Sequence, residues 1–496
     1  MIRHLRPAVL APFLLAPAAA SGADPDPVPA VLVQVIRPER QLAQLLALFE
    51  GARAPHPAAA LASWRRATGD HEPLDKATQA GLALLNPDMV DEVRRLDGAT
   101  MALGITADWW WWRATIPRDD GTFAALATAL ALTDGLALPR LEGCTVDRLG
   151  PPGSPLLARR ADGALALALD RDALAVALHT LQAPPPAPRA LPSGWHLTFD
   201  PTAVPPGAPL PARRVAAGLQ AGGCLGIDAS AALVGDTLAV DVRSTFAAAA
   251  PGAAAVDPSW LDWIPAPTGP DGPRVVAAAV LALEPDRASW DRVFAVADRV
   301  EKADPARARV APIRARVGLA ALAVGLRPER DLFPHLRGIT ALAATAPDGW
   351  LVALHAADEP AAERLAARVA GPLATRLGAI APARQGRTVL LASAAPLLAA
   401  ALESAAGRAP SEAPALRASW GGRTALPARC AAAWPGRAGR LGPLAAAGLD
   451  GAPPITWTGG ADGAATWDAL RWPGLKDTVR RALERLPQTP PAAGEE

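Results

Sequence analysis

Apolar positions along this chain repeat with two periods, and the periods alternate in the same order twice. Val31, Val33 and Val35 follow the two-residue period of a half-buried strand. Pro38 then suits a first helical turn, Leu42, Leu45, Leu46 and Phe49 fall at helical spacing, and Gly51 stops the run. Some 240 residues on, positions 275–283 are apolar and strand-like, and Pro285 opens a helix. Its Trp290, Val293, Phe294 and Ala297 repeat the i, i+3, i+4, i+7 stripe.

The stretch that organises the chain is 326–371. It reads as a short helix, a Leu336-Arg-Gly338 corner, two adjacent strands and an amphipathic helix. Residues 85–130 carry a fainter version of it. Leu85-Asn-Pro87 answers Leu326-Arg-Pro328, Leu96-Asp-Gly98 answers Leu336-Arg-Gly338, and the run Trp109-Trp110-Trp111-Trp112 falls opposite Gly349-Trp350-Leu351-Val352. Asp119 and Asp120 in one stretch, and Asp358 and Glu359 in the other, put negative charge at the positive end of the following helix. Farther along, 163–169 reads as a strand, with Asp170 as cap for a helix carrying Leu174, Leu178 and Leu181. Its counterpart is the strand 387–392, then Ser393 as cap and a helix with Leu398, Ala401 and Leu402. Each set closes on a hairpin: 225–232 with 237–244, turning at Val234-Gly-Asp236, and 455–459 with 465–472, turning at 460–463. Such self-similarity predicts a tandem duplication.

The expected fold is therefore α+β: two tandem homologous domains, each an antiparallel or mixed sheet with helices packed mainly on one face. An all-parallel sheet would need near-continuous apolar strands instead. The boundaries expected are a signal peptide at 1–23, a first repeat domain at 24–246, a Pro/Ala/Gly-rich linker at 247–273, a second repeat domain at 274–486 and a disordered tail at 487–496. Trp260 and Trp263 within the linker are expected to pack onto a domain, since two exposed tryptophans in a tether would be costly.

Composition narrows the function classes. About half the residues are apolar and a fifth charged, as in globular proteins. The 42 glycines and 53 prolines together stay below the ~25–30% typical of disorder. A net charge of +1 with interspersed signs shows no basic face for nucleic acid and no polybasic membrane patch. The N-terminus has a basic segment ending at Arg6, an apolar run from Ala8 to Ala16, and small residues that suit cleavage after Ala20 or Ala23. That is the pattern of a secretory signal peptide. No cysteine follows the apolar run to take a lipid anchor, and no later apolar run reaches the ~18–20 residues needed to cross a bilayer. The expected location is the periplasm or outside the cell. Such a compartment permits one disulfide among Cys144, Cys224 and Cys430, although buried thiols are the plainer reading.

Candidate chemistry is sparse. Four tryptophans in a row on a strand point alternately to opposite sides, so they cannot form one platform, and core packing is expected. Asp70-His71-Glu72 with Asp75 is the tightest cluster of titratable groups, but it lacks the paired histidines of HExxH, and Pro73 marks a helix start where acids are common. His335, before the Leu336-Arg-Gly338 corner, has no counterpart in the first copy and reads as a helix-end residue. His179, His196 and His355 have no nucleophile pattern beside them. GxSxG, SxxK, CxxC, phosphate-loop and dinucleotide motifs are all missing from the sequence. No catalytic, cofactor-binding or metal-ligating residue is assigned, and no cofactor is expected.

The arrangement of signal peptide, two strand-helix copies, Leu-x-Gly corners and following strand pairs resembles exported bacterial proteins of an uncharacterised domain-of-unknown-function type. The resemblance covers most of the mature chain and implies no substrate, cofactor or catalytic residue. The expected function is that of an exported, non-catalytic binding or interaction protein, whose partner is an envelope protein or an apolar ligand, held in a groove between the copies. The alternatives are an envelope scaffold or assembly factor, and a periplasmic hydrolase with a dispersed site using His71 or His335.

Overall fold

A computed structural model describes residues 30–36, 38–49, 65, 100–105, 110–115, 136–148, 156–159, 164–168, 170–182, 194–204, 210–247, 254–268, 272–284, 287–302, 310–323, 325–345, 348–371, 374–375, 378–380, 382–418, 420, 427–434, 437 and 453–485. The fold is α+β, with every strand pairing antiparallel. Two compact units divide the chain: the described residues of Met1–Ala216, Gly226–Asp236 and Leu475–Glu496 make the first, and Ala217–Leu225 with Thr237–Gly474 the second.

The first unit holds β1 (Val31–Ile36), β2 (Thr100–Ile105), β3 (Trp110–Thr115), β4 (Leu136–Leu141), β5 (Cys144–Arg148), β6 (Leu156–Arg159), β7 (Ala164–Ala168), β8 (Gly194–Phe199) and most of β9 (Cys224–Val234). Their order is β4-β5-β6-β7-β3-β2-β1-β8-β9. Helix α1 (Pro38–Ala47) follows β1 where the apolar spacing predicts it. Helix α2 (Arg171–Gln182) is capped by Asp170, whose carboxylate accepts from the Ala173 N–H at 2.8 Å. Its Ala173, Leu174, Ala177 and Leu178 form one buried stripe over Val146, Leu156 and Ala158 of the sheet. Each leucine buried this way contributes on the order of 1.5–3 kcal/mol. Helix α3 (Leu210–Ala221) precedes β9.

The second unit holds β10 (Thr237–Phe246), β11 (Val275–Ala282), β12 (Leu336–Thr345), β13 (Asp348–Ala356), β14 (Ala383–Gln385), β15 (Thr388–Ala392), β16 (Arg429–Ala433), β17 (Ile455–Asp462) and β18 (Ala465–Trp472). Their order is β14-β15-β13-β12-β11-β16-β17-β18-β10. Helix α4 (Arg287–Lys302) carries Trp290 and Phe294 against Phe333, the Trp290 and Phe333 rings stacked at 4.1 Å. Then come α5 (Ile313–Leu322), α6 (Pro328–Asp331), α7 (Glu359–Leu365), α8 (Ala395–Ala405) and α9 (Ala413–Ala418). Asp358 caps α7 through the Ala361 N–H. Ser393, expected as the cap of α8, instead accepts from the Trp350 N–H at 2.8 Å, and Ala394 takes the cap position without a side-chain bond.

Alternation along β13 sorts two cores. Leu351 and Ala353 share one with Leu397 and Ala401 of α8 and Leu416 of α9. Leu354 shares the other with Ala362 and Leu365 of α7. The stretch expected to be a tether is built in as well. Pro258–Trp263 forms a 3-10 helix capped by Asp257, and Val256, Leu261, Trp263 and Ile264 are buried in the first of those cores. Trp260 packs there too, partly buried. Helix α10 (Leu475–Arg485), within the 274–486 span expected as the second domain, groups with the first unit, where the Leu475 N–H donates to the Asp236 carbonyl at 3.0 Å. Among the described residues there is no disulfide, and Cys144, Cys224 and Cys430 are buried thiols. Burial pushes the Cys430 thiol up to about 12.

Candidate functional site

Two features of the second unit could hold a ligand, and no residue lines both. The first is a cleft of about 660 Å³ with His355 in its lining. His355 is 2% exposed and stacks on Trp260 at 4.6 Å with the rings nearly parallel. Its Nε2 lies 2.8 Å from Thr340 Oγ1, and its Nδ1 lies 3.1 Å from Thr388 Oγ1. Thr340 gives its single hydroxyl hydrogen to the Trp260 carbonyl, so its oxygen must accept from an Nε2–H. Nδ1 is then left to accept from Thr388. Both nitrogens are occupied in the neutral ring, and burial pushes its pKa down to about 3, against a weaker pull from Asp257. His355 is thus a neutral structural group without a free nitrogen to act as base or ligand. Gly338 makes the arrangement possible, because a Cβ there would overlap the Trp260 ring.

The second feature is an open groove of about 690 Å³ across β13, β12, β11, β16 and β17. Two rows of directly opposed residues make it. One runs Trp350, Ala343, Ala277, Ala433, Ile455; the other runs Val352, Ala341, Ala279, Ala431, Trp457. Six alanines form the floor and larger side chains close both ends. Five strands at ~4.8 Å spacing make it ~19 Å long, and two rows of one face make it ~7 Å wide. Among the described residues lining it Thr456 is the single one with a polar side chain other than tryptophan, and Thr456 is buried.

Those of the residues weighed from the sequence that are described do not converge. Asp70, His71, Glu72, Asp75 and Trp109 lie outside the described residues, as does the signal segment. Trp110, Trp111 and Trp112 lie on β3, paired with Ile105, Gly104 and Leu103 of β2. His335 is half-buried just ahead of β12, its N–H donating to the Leu332 carbonyl at 3.0 Å. His196 on β8 sets Nδ1 3.4 Å from Gln34 Oε1, and His179 lies on α2. Among the described residues no group of His, Cys, Asp and Glu could hold a metal ion, and no helix is long and apolar enough to cross a membrane. Neither the groove nor the His355 cleft was foreseen. The usable signal was alanine at alternate positions of three separated strands.

No family model matches the chain, and no curated protein matches it. Solved structures similar to part of it include crystal forms III and IV of TP0453. Crystal form III shares 6% identity with a TM-score of 0.25, covering 45% of this chain and 80% of that one. Crystal form IV shares 8% with a TM-score of 0.23, covering 44% and 77%. Likeness at that level carries no argument.

Proposed function

We propose that this is an exported, non-catalytic binding protein that holds an apolar small molecule, with an extended hydrocarbon chain as the best fit. The observation that carries this reading is the alanine-floored groove of the second unit. Its footprint, on the order of 130 Å² from strand spacing and rise, is far below the ~800 Å² per partner of a stable protein interface. Its volume falls in the ~300–1,000 Å³ range of small-ligand sites.

A peptide is the poorer occupant. The groove runs across the strands, and its three central strands, β12, β11 and β16, are paired on both edges, so no strand can be added there. Backbone N–H and C=O groups laid on that floor would lose water without a partner, at ~1–3 kcal/mol each. A hydrocarbon has no such groups and contributes ~0.8 kcal/mol per buried methylene. At ~1.2 Å per bond of an extended chain, ~19 Å accommodates roughly fifteen carbons.

Displacement of the uncharged fluorophore N-phenyl-1-naphthylamine by 1-alkanols tests this. Affinity should rise about fourfold per added carbon and level off near fifteen. Failure of the fluorophore to bind, or affinity that ignores chain length, would sink the reading.

A further inference from the structure

The cleft over His355 has a charge imbalance that the described residues do not resolve. Two acids line it, and both are engaged. Asp262 accepts from Arg417 at 3.0 Å. Asp257 accepts from the Ser259 N–H at 2.9 Å and from its hydroxyl at 2.7 Å, as cap of the 3-10 helix. Two arginines line the same cleft. Arg337 lies at the β12 bulge, its carbonyl held by the Leu283 N–H at 2.7 Å. Arg387 follows Gly386 in the turn between β14 and β15, its carbonyl held by the Ala356 N–H at 2.8 Å. Among the described residues, neither guanidinium makes an ion pair or a side-chain hydrogen bond. Arg387 is near enough to Asp257 to act on its carboxyl: burial alone would raise that group, but the Ser259 hydrogen bonds and Arg387 together hold it below the usual range.

With Asp262 matched to Arg417, the cleft keeps two guanidiniums against one carboxylate over a neutral, hydrogen-bond-saturated floor. A floor of low polarity strengthens attraction for a charge brought from solvent. Guanidinium forks match the paired oxygens of carboxylates and phosphates. The backbones carrying both arginines are pinned to the sheet, which limits the ordering needed on binding. We infer that this cleft binds a small oxyanion, a carboxylate or a phosphate, between Arg337 and Arg387. The inference does not depend on the apolar groove.

Titration of the full chain with sodium phosphate and, separately, sodium benzoate tests it. Ionic strength is held constant with chloride, and binding is read by calorimetry, with intrinsic tryptophan fluorescence as a second readout. At least one probe should saturate, and which one does identifies the oxyanion class. Arg337→Gln and Arg387→Gln should each weaken it about tenfold, Asp257→Asn should tighten it, and Arg364→Gln on α7 should leave it unchanged. Both arginine side chains are exposed and, among the described residues, make no bonds, so the variants should fold as wild type, which circular dichroism checks. Absence of saturation with both probes overturns the inference. So does saturation that survives in the double arginine variant, or that Arg364→Gln weakens equally.

Discussion

Where the second unit lays Ala433, Ala277 and Ala343 across β16, β11 and β12, the corresponding row of the first unit carries Phe199, Val31 and Ile105 on β8, β1 and β2. The next row repeats the contrast: Ala431, Ala279 and Ala341 against Leu197, Val33 and Leu103. The correspondence follows from strand order. The run β6-β7-β3-β2-β1-β8-β9 in one unit and β14-β15-β13-β12-β11-β16-β17 in the other connect the same way, and the pairings set Trp110 where Trp350 stands. That both descend from one ancestral unit is our proposal for this agreement. The strand order is common to both runs, and these rows differ in the number of side-chain carbons their residues carry. On that proposal the groove arises by subtraction of side-chain carbons, and function would lie in side chains grafted on a shared scaffold.

The largest expected effect comes from undoing that subtraction. Ala277→Val with Ala341→Leu and Ala431→Leu restores residue types found at those rows in the first unit. Blocking four or more methylenes of a bound chain should weaken N-phenyl-1-naphthylamine and alkanol binding by about 100-fold or more. The melting temperature should hold or rise, because branched side chains suit a strand better than alanine. Weakened binding with a collapsed melting temperature would mean damage, not filling.

His355 sharpens the comparison at a second place. Its row holds Gly338 and Thr388, and the same row of the first unit holds Thr115 with Thr100 and Ala164. Gly338→Thr, the residue of the first unit, should lower stability by about 1–3 kcal/mol, because Trp260 already fills that space; chemical denaturation would show it. The histidine itself makes stability depend on pH. In the unfolded chain it takes a proton near pH 6.5, and in the folded unit only near pH 3. Between those values the unfolded state binds more protons, so stability falls as pH falls, by up to about 1.4 kcal/mol per unit. His355→Gln should flatten that slope between pH 6.5 and 4.

Much of the architecture was readable because strands and helices with large apolar residues announce their period: Val31, Val33 and Val35 on β1, or Trp290 and Phe294 on α4. β16 did not, since Arg429-Cys-Ala-Ala-Ala433 is alanine-rich, and alanine favours helix when no pairing is considered. The groove was invisible for the same reason, its floor being the residues with least signal, gathered from three strands far apart in sequence. His355 looked isolated because its partners, Thr340, Thr388 and Trp260, come from two other strands and from a stretch whose prolines and alanines suggest a tether.

The smallest expected effect contrasts the helices. Asp170 caps α2 with a 2.8 Å bond, whereas Ala394 at the same place on α8 makes none. Asp170→Ala should cost about 1 kcal/mol and Ala394→Asp should gain somewhat less, both by denaturant midpoint. Equal and negligible shifts would show that packing, not capping, sets both helix starts.

The grouping of α10 with the first unit gives that unit a segment that lies beyond the second unit in sequence. Cleaving the chain between Phe246 and Val256 would therefore not yield two self-sufficient fragments. The N-terminal piece would lack the Leu475 N–H that meets Asp236, and the C-terminal piece would retain a helix whose partners had been cut away. Fragments should be tested by co-expression and reassembly, with α10 supplied in trans, and truncations ending before residue 475 should be judged first by the solubility of the N-terminal half.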